Sequence, residues 1–228
     1  PYARFRYRFS QHSSIRANYR ARTSQPSMSQ LQPVEDVSDP LNIVKGNPSL
    51  KPTFTQNIGI HFNDYRPVSQ QATFLMLNAS YAINSIVSKT ETNPQTGGRV
   101  TTYGNVNGNL NLFGMAMINR PFRNRKWRFN ARMNGRYSST PGYINGEYNR
   151  TGNLGLSPSA GLTFSCDVFQ MSVNPNYSYG RVDNTLPQQK NRITHSYGFF
   201  SDASLYLPFG LQLNTDIPVS YTHLTLPT

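Results

Sequence analysis

The chain has 228 residues, 36% of them apolar and 14% charged, with a net charge of +12, 14 Tyr, 13 Phe and a single Trp. So little Leu, Ile and Val leaves a soluble domain short of core-forming side chains, and no run approaches the roughly 18 to 20 apolar residues of a membrane-spanning helix. The lone Cys166 excludes an internal disulfide framework and reads as a small residue on a strand face.

A basic balance of this size points to nucleic acid or an anionic surface, so the placement of the charges decides its meaning. Eight of the ten carboxylates fall in expected loops or turns: Glu35, Asp36, Asp39, Asp64, Glu91, Glu147, Asp167 and Asp183. Many arginines instead recur at every second position of expected strands.

Period-two alternation runs almost from end to end, and no stretch has helical spacing. In Tyr2–Phe9, Ala3, Phe5, Tyr7 and Phe9 oppose Arg4, Arg6 and Arg8. In Ser14–Thr23, Ile15, Ala17, Tyr19 and Ala21 oppose Arg16, Asn18, Arg20 and Arg22. Thr53–Asn63 sets Phe54, Ile58, Ile60 and Phe62 against Thr55, Asn57 and His61. Ala72–Ser88 and Val100–Ile118 continue the rhythm, the second with the ladder Asn105, Asn107, Asn109, Asn111. Lys126–Tyr137 alternates Trp127, Phe129, Ala131, Met133 and Tyr137 with Arg128, Asn130, Arg132, Asn134 and Arg136. Segments near Asn153–Cys166, Phe169–Gly180, Ile193–Leu207 and Leu211–Ile217 bring the expected total to ten strands.

The connections alternate in length. Short links fall near Ser10–Ser13, Asp64–Gln71, Asn119–Arg125, Cys166–Val168 and Pro208–Gly210. Long ones fall at Ser24–Leu50, Glu91–Arg99, Ser138–Thr151 and Val182–Arg192. Tight turns on one side and long loops on the other are the layout of an antiparallel up-and-down transmembrane β-barrel. One face is rich in Asn and Arg and nearly free of Glu and Lys; the other mixes Ala and Gly with Leu, Ile, Phe and Tyr. Lipid accepts small residues that would leave voids in a packed core. Tyr19, Tyr65, Trp127 and Tyr137 suit interfacial girdles. The fold class expected is therefore all-β: a partial barrel, an open curved sheet of about ten strands, in a Gram-negative outer membrane.

The run Gly46, Asn47, Pro48, Ser49, Leu50, Lys51, Pro52 ends a long loop and leads at once into a strand. This G-N-P-x-L-K-P pattern resembles the barrel of TonB-dependent receptors, as do the strand and loop entry from Tyr19 to Ser27 and Gln30–Pro33. Pro48 and Pro52 stiffen the return and leave Lys51 extended. The resemblance covers most of Pro1–Ile217. It implies a barrel of about 22 strands around a globular plug, import of a bulky nutrient (a metal chelate, vitamin, oligosaccharide or peptide), a TonB-type energising complex and room for a surface lipoprotein partner. On that footing the chain, which lacks an initiator Met, is an interior barrel fragment without its plug or closing strand. A plugless barrel acting as passive pore, adhesin or assembly scaffold shares every feature visible here.

The expected domain is 1–218. Val219–Thr228 resembles a translated sequencing-library adapter and is set apart as a non-native tail, with His223.

The arginine ladders are the candidate contacts for a plug or a ligand: Arg4, Arg6, Arg8, Arg16, Arg20, Arg22, Arg128, Arg132 and Arg136. Like charges facing one another on a sheet are destabilising, so their anions are expected elsewhere, first on the plug, by bidentate pairing. Glu35, Asp36 and Asp39 present hard oxygens suited to Ca²⁺, but their spacing matches no defined calcium loop. They read as a solvated extracellular loop, and no metal or cofactor is expected. His12, His61 and His195 lack partners at ligand spacing. No nucleophile motif is legible; Ser10 with His12 on one strand has no third orienting group. Nucleic-acid binding would place aromatics and arginines on one face. Here they mostly alternate between faces, so no nucleic-acid partner is expected and membrane lipid is.

Overall fold

The computed structural model of the chain describes residues 1–36 and 39–225. Ten strands form one antiparallel sheet: β1 (Tyr2–Arg8), β2 (Ser13–Ser24), β5 (Thr53–Arg66), β6 (Gln71–Ile83), β9 (Asn109–Pro121), β10 (Trp127–Ile144), β11 (Glu147–Ser165), β12 (Phe169–Asn184), β13 (Arg192–Tyr206) and β14 (Gln212–Thr225). They follow one another in that order and the sheet does not close. A second sheet, in the order β3-β4-β8-β7, is built from β3 (Glu35–Asp36), β4 (Asn42–Lys45), β7 (Ser85–Thr92) and β8 (Arg99–Val106). The one α-helix among the described residues is a single turn, α1 (Met28–Leu31), closed by a capping box between Ser27 and Gln30.

The expected ten-strand wall is present, with three corrections. Ala72–Ser88 and Val100–Ile118 are each two strands. The first breaks at Asn84 (φ 54°) and the second at Asn107-Gly108 (Gly108 φ 88°), which sends β7 and β8 out of the wall into the second sheet. A period-two pattern reports alternation and is blind to such a bend. Ser138–Thr151 is not a loop: β10 and β11 pair out to Ile144↔Glu147 around Asn145-Gly146, both at positive φ. That is the two-residue Asn-Gly hairpin turn, whose backbone twist matches the flanking strands. Finally, six of the eight carboxylates expected in loops lie in strands: Glu35, Asp36, Asp64, Glu91, Glu147 and Asp183.

Almost nothing is buried within the chain. The buried apolar residues among those described are Ala21, Leu50, Val106 and Pro141, so no second layer of the described residues covers the wall. Tracing partners across the register sorts every residue of the wall onto one of two faces. One row reads Tyr19, Ile58, Ala79, Leu112, Tyr137, Leu154 and its parallel reads Ile15, Phe62, Leu75, Ala116, Met133, Pro158. This is the apolar face. Trp127 and Tyr137 on β10, like Phe169 and Tyr179 on β12, share it ten residues apart. Ten residues at ~3.3 Å per residue, tilted by about 40°, span roughly 25 Å, the height of a lipid-facing band. Aromatic contacts mark its lower edge, Trp127 with Phe164 at 4.8 Å and Tyr7 with Phe9 at 4.9 Å between ring centroids. Tyr177, Tyr197 and His195 mark the upper edge, where the Tyr177 hydroxyl meets His195 Nδ1 at 2.7 Å. His195 thus belongs to this girdle, and Tyr65, expected there, falls on the opposite face beside Ala72.

Val219 to Thr225, set apart from the sequence, continues β14 against β13; residues 226–228 lie outside the described residues.

Candidate functional site

The polar face holds the candidate site. Arg4, Arg6, Arg8, Arg16, Arg20, Arg22, Arg128, Arg132 and Arg136 all fall on it, because the register never slips between β1 and β10. They form two groups. On β1 and β2, Arg6 stands directly opposite Arg16, while Arg4 faces Asn18, Arg8 faces Ser14 and Arg20 faces Tyr2. Like-charge opposition is thus limited to one direct pair, the other arginines being diagonal neighbours. On β10, Arg128, Arg132 and Arg136 face Pro121, Met117 and Phe113 of β9.

None of the nine takes part in the ion pairs of the described residues, which are Lys45–Glu35, Arg66–Asp64, Lys89–Glu91 and Arg181–Asp183. Arg4 lies over the Tyr2 ring at 5.6 Å, and Arg132 reaches the Met117 sulfur at 3.8 Å. Below the hairpin tips, the polar-face carboxylates are Asp202 and Asp216, direct partners across β13 and β14, with the Ser172 hydroxyl donating to Asp202. Seven inter-strand steps separate β2 from β13, about 34 Å along the wall at ~4.8 Å per step. That is several times the ~8 Å over which charges act in physiological salt.

Between the two arginine groups lies a patch that alternation alone did not single out. Phe74, Met76, Phe113, Met115 and Met117 share the polar face of β6 and β9. They alternate along the chain with Leu75, Leu77, Leu112 and Ala116 of the other face.

On the long-loop side the second sheet and the β10–β11 hairpin make a cap, and the G-N-P-x-L-K-P run is its joint. The Gly46 N–H donates to the Gln32 carbonyl at 3.1 Å, and a Cβ on Gly46 would sit 2.3 Å from that oxygen. Asn47 Nδ2 donates to the Tyr103 carbonyl at 2.9 Å, and Asn47 Oδ1 accepts the Ser49 N–H at 3.0 Å. Leu50 is buried. The Lys51 backbone is held at both ends by one amide: its N–H donates to Asn105 Oδ1 at 2.8 Å and its carbonyl accepts from Asn105 Nδ2 at 2.9 Å. Pro48 and Pro52 flank these bonds without needing donors.

Arg150 is the cap's other fastener. It donates to the Gly108 carbonyl at 3.1 Å, the Asn107 carbonyl at 3.3 Å, Ser139 Oγ at 3.0 Å and the Tyr148 hydroxyl at 3.2 Å. It therefore holds the break between β8 and β9. Buried Asn149 accepts the backbone N–H groups of Thr185 and Leu186, setting the start of the β12–β13 loop. Neither role was legible, since a side chain that binds backbone 36 to 43 residues away leaves no local pattern.

In the loop 24–50, Glu35 pairs with Lys45 at 3.1 Å. Asp39 accepts from Asn42 Nδ2 at 2.7 Å and the Leu41 N–H at 3.0 Å, and these donors, Asn42 first, hold its carboxyl below the ordinary range. The Asp36 side chain lies outside the described residues. Ser10 Oγ accepts the N–H groups of His12 and Ser13 at 3.1 and 3.0 Å, so both Ser10 and His12 sit in a turn and not on a strand.

A family model described as the outer membrane protein beta-barrel family matches residues 1–199. No curated protein and no solved structure matches the chain. An open antiparallel wall with one lipid-compatible face and one Arg- and Asn-lined face, matched over most of its length, places this chain in the outer membrane protein beta-barrel family and its home in the outer membrane.

Proposed function

We infer that this chain is part of the wall of a TonB-dependent importer in a Gram-negative outer membrane, carrying a bulky nutrient past a plug that occupies the barrel lumen. The observation behind this reading is the arginine group of β1 and β2. Six guanidiniums on one face, without a carboxylate partner among the described residues, call for an anionic counter-surface inside the barrel. Arginine supplies it with bidentate, geometrically specific pairing. A carboxylate-bearing plug meets that need. The cap over the long-loop side, knit by Asn47, Asn105 and Arg150, would hold the first ligand-contacting surface in place.

Planar-bilayer conductance of the full-length protein tests this. A plugged importer stays closed and opens reversibly in mild denaturant, and Arg20→Glu raises the resting leak. A steady open conductance from the outset overturns the reading in favour of a plugless pore.

A further inference from the structure

Beyond the arginines of β1 and β2, the polar face carries one depression whose chemistry is specific. One register row runs Phe113, Arg136, Gly155, Gly180, Thr194 across five strands. Gly155 and Gly180 are direct partners, so the centre of the row is bare backbone. Around it lies a depression of about 430 Å³, lined by Phe113, Arg136 and Arg192 with the amides of Asn134 and Asn153. That is within the usual range of small-molecule sites.

The fold does not demand these two glycines. Neither has a positive φ; a Cβ on Gly155 meets nothing within 4 Å, and one on Gly180 meets only Thr194 at 3.8 Å, an ordinary contact. Gly59 and Gly161, by contrast, are overlaid by asparagine side chains 2.5 and 2.1 Å from such a Cβ. The open floor is therefore space and not backbone necessity. Three inter-strand steps separate β10 from β13, about 14 Å between backbones, so Arg136 and Arg192 line the depression from opposite sides of the glycine floor. Neither forms an ion pair among the described residues. No carboxylate lines the depression among the described residues, so it offers nothing to an ammonium group.

We propose that this depression is a binding subsite for an acidic sugar unit, a saccharide ring bearing a carboxylate or an ester anion. The ring lies over the Gly155–Gly180 floor with its C–H face against Phe113, the anion is held by Arg136 and Arg192, and the hydroxyls meet the amides of Asn134 and Asn153. A neutral sugar leaves two guanidiniums unmatched, and a peptide brings an ammonium that finds no partner. The inference gives the import reading its substrate class, yet binding is measured without transport.

The test is calorimetric titration of the full-length protein in detergent with tetragalacturonate, a sulfated galactan tetramer, a neutral galactan tetramer and a ferric catecholate. Either acidic tetramer should bind at least about tenfold more tightly than the neutral one, and which of the two binds identifies the anion. Arg136→Gln and Arg192→Gln should each weaken it about tenfold, and Gly155→Val should abolish it while heat-modifiable mobility shows the barrel still folded. Binding of neither acidic tetramer, equal binding of the neutral one, a tighter ferric catecholate, or unchanged affinity in the double arginine variant overturns the proposal. Acidic-sugar binding by a protein that is permanently conductive would keep this subsite and overturn the import reading.

Discussion

Arg6 and Arg16 are direct cross-strand partners between β1 and β2, and neither has a carboxylate partner among the described residues. Directly opposed like charges destabilise a strand pair, whereas an opposite pair contributes roughly 0.2–1 kcal/mol. Arg16→Glu should therefore leave the unfolding temperature of the barrel wall unchanged or slightly raised. In the full-length protein it should loosen the plug, seen as faster tryptic release of plug peptides. A destabilised wall with an unchanged plug would count against the proposed pairing.

Arg150 ties the β10–β11 hairpin to the bend at Asn107-Gly108 through four acceptors. A hydrogen bond to a charged group contributes about 1.5–3 kcal/mol. Arg150→Ala should expose the bend, giving faster amide exchange at residues 105–109 without loss of the barrel. Arg150→Lys should rescue little, since a point charge cannot span the same fork. Full rescue by lysine would reduce the role of Arg150 to charge alone.

Gly46 has no room for a side chain, because its Cβ would meet the Gln32 carbonyl at 2.3 Å. Gly46→Ala should detach the loop 24–50 from the second sheet and make it protease-sensitive, while heat-modifiable mobility stays intact. Asn47→Ala should act in the same direction through the lost Tyr103 contact. An equally resistant loop in both variants would show that the motif is not the joint.

The Asp39 carboxyl is held below the ordinary carboxylate range by Asn42 and Leu41. A depressed folded value means that its contribution to loop order is present above the unfolded value and is lost as pH falls through the folded one. Protease protection of the loop should thus fall at acid pH in the parent and lose that component in Asp39→Asn. An identical acid profile in the two proteins would exclude Asp39 as its source.

The two faces were legible in the sequence because strand side chains alternate with a period of two, and Arg4 to Arg22 and Arg128 to Arg136 kept that period without a slip. The bends were not, since Asn84 and Gly108 interrupt alternation for a single residue. The upper half of β10, Ser138 to Ile144, looked like a loop because it rises above the lipid band and no longer needs apolar residues on one face. Asn145-Gly146 was the available sign of its turn. The cap was illegible for another reason: Lys51 with Asn105, and Arg150 with Gly108, are contacts between segments 54 and 42 residues apart. The bare Gly155–Gly180 floor needed the register as well, because two glycines 25 residues apart become neighbours only once β11 and β12 pair.

Met133 faces lipid and Asn134 faces the lumen, one residue apart on β10. The direct measurement is on Met133→Cys and Asn134→Cys, each in a Cys166→Ser background, labelled with a fluorophore in bilayers of the full-length protein. A lipid-borne quencher should extinguish the label at 133 and spare 134, and a water-soluble quencher should do the reverse. As a companion, Met133→Arg should cost about 2–4 kcal/mol of folding stability, as arginine does on the lipid face near the midplane, and Asn134→Arg far less. Quenching of both labels by the aqueous agent alone, with similar costs for the two arginines, would contradict a lipid-facing wall.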